Sequence, residues 1–435
     1  MSDVKQGSLQ KNVGLLGVVT FGAGTAIGVS IFSILQPTAE IAGSGLLLAV
    51  GIAAVPMLLF AITYAYLGSA LPVSGASYEW PRRFIHPMAG FLIAWLRIVA
   101  NVGALTILGQ VFVGYLGMVL PLPAKPLMAV LITLIFGLNL LGVSMAARVQ
   151  TALMGLLLVV LAIFVVTGLP LYDPAVAGDP FGQPPLTVLA AVPLMISLFL
   201  GIEAAVEIGE EVRNPGRNIP LGIALAILLS ALVYGLVAAT ALGLAGPDVL
   251  AGSKAPLLDA ANVSLGSLAV PLIVGAACVS ILKSMNAAAL VFSRSLFAMG
   301  RNGALPHGLG AIHPRFGTPH RAILLGYVCA LSGLLLPSSL IFLLLAVNIP
   351  TMLKYMACAW SATVVARRHP ELHAQSRVKL SPAQVTACGL AAMLAAALII
   401  LFGLEADMRP YLLIGGWLVA GILFWFARQA WLARR

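Results

Sequence analysis

Residues 22–32 read Gly22-Ala23-Gly24-Thr25-Ala26-Ile27-Gly28-Val29-Ser30-Ile31-Phe32, and residues 197–203 read Ser197-Leu198-Phe199-Leu200-Gly201-Ile202-Glu203. Both runs lie inside long apolar stretches, where a helix facing lipid carries leucine rather than glycine and hydroxyl groups. Unwound backbone is tolerated in a bilayer only where it is buried in protein or lines a cavity, so such interruptions point to a site. Small residues also let helices pack closely, and one run alone is read equally well that way. Two runs in matching positions, five spans apart, favour an inverted repeat with broken first and sixth helices.

The rest of the chain supplies the spans that this reading needs. Of 435 residues 61% are hydrophobic and 9% charged, and the mean hydropathy is +1.05, which no water-soluble fold accommodates. A helix needs about 20 apolar residues to cross the hydrocarbon. Twelve such segments are expected, at 12–36, 44–69, 88–118, 125–143, 149–170, 187–209, 220–245, 268–298, 321–337, 340–362, 385–403 and 411–431. The expected architecture is an all-α membrane protein with a single transport domain over 1–435. Helices 1–5 (12–170) form one repeat, helices 6–10 (187–362) the second, and helices 11 and 12 (385–431) lie at the periphery.

Charge orients the spans. The net charge is +10, yet no hydrophilic module exists to present a basic surface to nucleic acid. With a cytoplasmic N-terminus, eighteen of the 24 Lys and Arg fall inside, three outside (Lys125, Lys254, Arg409) and three within spans, a strong positive-inside bias. Both termini are therefore expected in the cytoplasm, with the chain multi-pass in the inner (plasma) membrane. The first apolar stretch is too long and glycine-rich for a cleaved signal peptide. Cys278, Cys329, Cys358 and Cys388 sit in or beside spans, so they are small packing residues and no disulfide framework is implied.

Four motifs carry a family resemblance. Ile27-Gly28-Val29-Ser30-Ile31-Phe32 resembles the glycine-rich core of the broken first helix in the amino acid/polyamine/organocation superfamily of permeases. TYAYLGSALPVSGASYEW (63–80), GIEAAVEIGEEVRNPGRNIP (201–220) and SRSLFAMGRNGALP (293–306) followed by HPRFGTP match at the expected spacing. The resemblance covers nearly the whole chain. It implies a substrate held at Ala26, Ile27, Gly28, Val29, Ser30, Phe199, Leu200 and Gly201, where half-helix ends bind a zwitterion without ionised side chains. Amides around Gly28, Val29 and Ser30 take the carboxylate; carbonyls of Ala26, Phe199 and Leu200 take the ammonium, with Phe199 as a cover. Ser30 stands where the family often has glycine, which suits a smaller or polar substrate or a hydroxyl bonded to its own helix.

Charged residues at membrane depth are functional candidates by default. Glu203 matches an acidic position after the sixth-helix break and is expected to gate or couple protons, with Glu207 beside it. Many members carry a fifth-span lysine where sodium-coupled relatives bind an ion; here Leu157 or its neighbours occupy that slot and the lysine is absent. Lys283 in span 8, next to Ser284, is expected to replace it and brace span 1 against span 8. The alternative pairs Lys283 with Glu203 or Glu207. Arg97 and Lys354 belong to an inner-gate network or snorkel to the cytoplasmic interface.

Three functions remain open on this reading: an L-amino-acid transporter, proton-coupled or exchanging; a carrier of polyamines or other amines; and a non-transporting membrane sensor of amino acids. Sodium coupling ranks below protons, because a lysine competes with the cation. No cofactor, metal or obligatory protein partner is expected beyond substrate and lipid bilayer. An enzyme lacks parts, since the six histidines show no metal-ligand spacing.

Overall fold

In hydrocarbon every backbone amide must find its partner within the segment, which leaves helices as the economical answer for runs this apolar. The computed structural model describes residues 11–27, 30–120, 122–196, 198–201, 203–253, 255–336, 340–402 and 408–433. Gly28, Val29, Ser197, Ile202 and Lys254, singled out above, lie outside the described residues. In chain order the helices are α1 (Leu15–Ala26), α2 (Ser30–Ser33), α3 (Leu35–Ala42), α4 (Leu46–Ala70), α5 (Ala76–Phe84), α6 (Pro87–Gly117), α7 (Ala124–Leu140), α8 (Val143–Gly168), α9 (Pro174–Ala177) and α10 (Pro185–Ile196). They continue as α11 (Ala204–Glu207), α12 (Pro215–Gly252), α13 (Pro256–Leu265), α14 (Ala269–Arg301), α15 (His320–Ser332), α16 (Leu340–Arg368), α17 (Pro370–Gln375), α18 (Pro382–Phe402) and α19 (Arg409–Ala433).

Among the described residues nine helical stretches are long and apolar enough to cross a bilayer, and Ala124–Leu140 and His320–Leu335 are shorter apolar helices. Exposed Leu134, Leu228, Leu394, Leu412 and Leu423 belong to such helices, as expected when lipid rather than water meets the outer face. Inside, one apolar core gathers α1, α4, α8, α10, α12 and α16 around Phe21, Leu67, Phe164 and Tyr234. A second joins α6, α7, α14 and α15 around Phe91, Phe136 and Phe292.

Both sequence-predicted interruptions are present. At the first, α1 closes with Ile27 N donating to Ala23 O at 2.6 Å, and Ile27 then leaves helical geometry at φ −72°, ψ 66°. At the second, α10 ends at Ile196 and helix resumes only at Ala204, so the expected 187–209 span is divided. Short α5 and α13, between spans in the sequence reading, are also helical, and α12 is kinked at Gly246, where φ is 76°.

The side carrying the N-terminus is clasped shut. Val13 N donates to Glu211 O at 3.0 Å and Arg213 N returns to Val13 O at 2.8 Å. Gly75 N reaches Glu207 O at 2.9 Å, which ties the α4–α5 turn to the end of α11. Arg294 binds both oxygens of Glu211, through Nε at 2.9 Å and Nη2 at 3.1 Å, and Arg301 grips Glu210 with two bonds of 2.8 Å. Asn214, at φ 47°, makes the turn into α12, a conformation asparagine tolerates. Residues 210–214 of the 201–220 motif are thus the hub of a closed face. Partial burial works to raise the Glu210 carboxyl, but Arg301 and the Ser74 amide prevail and hold it below the usual carboxylate range. Such a group stabilises when ionised, so its contribution is full above the ordinary carboxylate range and fades as pH falls through the lowered value.

Arg294 and Glu211 are both buried, and removing one partner strands the other charge at a cost of about 3–5 kcal/mol. Arg294→Met is therefore expected to lower the melting temperature in detergent, and Arg294→Met/Glu211→Gln to recover part of the loss. Equal melting temperatures for wild type and the single variant would contradict this account of the clasp.

Candidate functional site

Where α1 stops, its last carbonyls have no amide partner, as at every helix C-terminus. In this chain side chains from α12 and α14 supply donors. Lys283 Nζ donates to both Gly24 O and Ile27 O. Ser284 Oγ adds a bond to Gly24 O at 3.3 Å, Ser280 Oγ reaches Ile27 O at 3.2 Å, and the Tyr234 hydroxyl donates to Ala26 O. A cation at a helix C-terminus also meets the negative end of the helix dipole. Lys283 is fully buried, and among the described residues it makes no ion pair; its acceptors are carbonyls. The expected brace between spans 1 and 8 is present as geometry, and the alternative pairing with Glu203 or Glu207 is not.

Those two carboxylates have other partners. Glu203 accepts from Lys354 Nζ and from the Tyr355 hydroxyl at 2.7 Å. Arg97 Nη1 meets Glu207 Oε1 at 2.8 Å. All four charged residues are buried, so Arg97 and Lys354 do not snorkel. Two carboxylates at this depth hold two cations that neither the bilayer nor the helix ends could neutralise. Phe60 stacks on Tyr355 at 4.6 Å and walls the cluster on the α4 side.

Gln150, two turns before Leu157, is one of two polar side chains that α8 sends to α1, the other being Thr151, whose hydroxyl lies 3.1 Å from that of Thr20. Gln150 Nε2 lies 3.3 Å from Thr20 O, and its Oε1 accepts from Asn286 at 3.1 Å. Leu157 packs instead in the apolar core. The crowding explains Gly24, since a Cβ there would run into the Gln150 amide and touch Lys283 Cδ at 3.6 Å.

A cavity of about 200 Å³ opens beside the two breaks. Its floor carries Glu203, Lys354 and Arg97, its rim near the breaks has Thr25, Ser30, Leu200, Gly201 and Ser284, and its walls are largely apolar, with Ile107, Leu108, Ala288, Val291, Leu344 and Val347. Asn101, Asn348 and Thr351 are its remaining polar side chains. Of the residues expected to bind substrate, Ser30, Leu200 and Gly201 line it. Ala26, Ile27 and Phe199 are not among its lining residues: the carbonyls of Ala26 and Ile27 accept from Tyr234, Lys283 and Ser280, and Phe199 is buried edge-on against the Tyr234 ring at 6.0 Å. Gly28 and Val29 lie outside the described residues. Sequence reasoning missed Thr25, Asn101, Asn348 and Thr351, whose polar character in apolar spans was the available signal.

Comparison with known proteins finds a family and several transporters that the chain resembles. A family profile described as amino acid permease matches residues 13–426. An uncharacterized transporter of Mycobacterium tuberculosis is 34% identical over 74% of this chain and 73% of its own length. A branched-chain amino acid permease of Bacillus subtilis is 28% identical over 96% and 93%, and a methylthioribose transporter of the same organism 26% identical over 87% and 86%.

Gly201 holds the second break at φ +100°, and a Cβ would collide with the Thr25 side chain. Gly201→Ala adds that clash to about 1 kcal/mol of backbone cost. The variant is expected to melt at a lower temperature in detergent than wild type. An unchanged melting temperature in this variant would show that the break does not depend on glycine at this position.

Proposed function

The chain belongs to the amino acid permease family, and from that premise we propose that it is a secondary transporter of neutral L-amino acids with aliphatic side chains. It crosses the inner (plasma) membrane twelve times with both termini in the cytoplasm, as the bias of Lys and Arg to one side supports. Helices 1–5 and 6–10 act as inverted repeats that rock about the cavity, so that access alternates between faces. The observation that carries this reading is the cavity itself: apolar walls meet Thr25 and Ser30 at the first helix break and Leu200 and Gly201 at the second.

Chemistry selects among substrates. The carboxylates at the floor already hold Lys354 and Arg97, and Lys283 adds a third buried cation. A polyamine finds no spare carboxylate there and meets like charge, which disfavours the amine-carrier reading. Ile107, Leu108, Val291, Leu344 and Val347 offer a leucine- or valine-sized side chain an apolar environment, rather than the polar one that Ser30 suggested. The 28% identity to a branched-chain amino acid permease over nearly the full length supports the same class. The clasp on the N-terminal side is one of the two gates that alternating access requires.

Lys283 couples protons to this motion. With its ammonium in place, α14 holds the end of α1 by ion–dipole contacts to Gly24 and Ile27. Loss of the proton removes the charge and weakens the grip, which frees α1 to move relative to α14. The ion pairs of Glu203 and Glu207 form a gating layer beneath the substrate, joining α11 to α6 and α16.

Purified protein in proteoliposomes tests the proposal. Wild type is expected to accumulate labelled leucine, faster under an imposed pH gradient, whereas Lys283→Met retains binding but loses the response to pH. Full, pH-responsive uptake by Lys283→Met would remove Lys283 from coupling. Leucine binding without accumulation by wild type would instead favour a sensor.

A further inference from the structure

Away from the central cavity, on the clasped side, α5, the segment after α14 and the end of α19 enclose a second cavity of about 250 Å³. Tyr78, Arg82, Asn302, His307, Trp425 and Arg428 are among its lining residues. A neighbouring hollow of about 250 Å³ is lined by Phe424, Ala427, Arg428 and Trp431. Arg428 is the wall that the two share. The first hollow is basic: Arg82 and Arg83 both bind Glu79, at 3.0 and 2.9 Å, and Asn302 also donates to that carboxylate. Arg428 spends its donors on neutral carbonyls, with Nε to Gly303 O at 2.6 Å and Nη2 to Leu305 O at 3.3 Å. Two guanidiniums therefore share one carboxylate, and Arg428 adds a third positive charge to the lining, bonded only to carbonyls among the described residues. The second hollow is apolar, on a helix whose Leu423, Phe426 and Trp431 side chains are exposed.

We propose that the two hollows together form a binding site for one anionic phospholipid. The phosphate sits in the basic hollow between Arg82 and Arg428, and an acyl chain runs along Phe424, Ala427 and Trp431. Guanidinium forks match phosphate oxygens, and basic pockets between membrane helices at the interface suit acidic headgroups. Adjacency of a cationic hollow and an apolar groove fits a ligand with both kinds of surface, which free phosphate lacks. Because Arg428 grips Gly303 and Leu305, the bound headgroup ties α19 and α5 to the segment leaving α14, the helix that also carries Arg294 and Arg301 of the clasp.

The full chain, purified in detergent, is titrated with phosphatidylglycerol or with phosphatidylcholine of the same acyl chains and read by native mass spectrometry. One phosphatidylglycerol per chain is expected to be retained, with affinity about thirtyfold above phosphatidylcholine, as about 1 kcal/mol from each of Arg82 and Arg428 implies. Arg82→Gln/Arg428→Gln is expected to abolish that preference, and Trp431→Ala to lower occupancy of both lipids. Unchanged phosphatidylglycerol occupancy in the double variant overturns the proposal. So does displacement of the lipid by equimolar glycerol phosphate, which would assign the basic hollow to a soluble phosphate. Should the double variant not fold, the exposed Trp431→Ala change decides alone, and unaltered lipid occupancy there counts against the site.

Discussion

The end of α1 poses the constraint from which the site follows. A helix stopped in mid-membrane leaves carbonyls that water cannot reach, and each one left bare in hydrocarbon costs several kcal/mol. Lys283, Ser280, Ser284 and Tyr234 cover Gly24, Ala26 and Ile27. Those donors come from α12 and α14, so the break can exist only where these helices pack on α1. Gly24 and Gly201 are the complementary concessions, one clearing space for Gln150 and Lys283 and the other letting the sixth helix unwind against Thr25.

Beneath the breaks the chain holds its charges in layers. Arg97–Glu207 and Lys354–Glu203 form the floor of the cavity, and Arg294–Glu211 and Arg301–Glu210 form the clasp farther toward the N-terminal face. The first layer joins α11 to α6 and α16, and the second joins the turn after α11 to α14. Movement of α11 therefore strains both layers at once. On the proposed transport mechanism, that arrangement is what links the occupant of the cavity to closure of the far face.

Much of this was legible in the sequence for a definite reason. Glycine and hydroxyl groups in mid-span are rare enough to betray the breaks at Ile27 and Gly201, and an uncompensated lysine in an apolar helix singled out Lys283. Pairings were less legible, because they depend on which helix faces are adjacent. Arg97 and Lys354 read as well as snorkelling side chains as they did gate residues, and only the fold brings α11 between α6 and α16. Gln150 and Leu157, two turns apart, share one face of α8, and it is packing along the helix axis that sets Gln150 beside Thr20 and Gly24 while Leu157 joins the apolar core. Nor does sequence show that Tyr234, far along the chain from the first break, meets both the Ala26 carbonyl and the Phe199 ring.

The central claim is that the Lys283 ammonium holds the frayed end of α1. Hydrogen–deuterium exchange over residues 20–27, compared between wild type and Lys283→Met in the same detergent, tests it most directly. The account predicts faster exchange there in the variant, with α16 and α18 unchanged. Identical protection of residues 20–27 in the two proteins would contradict it.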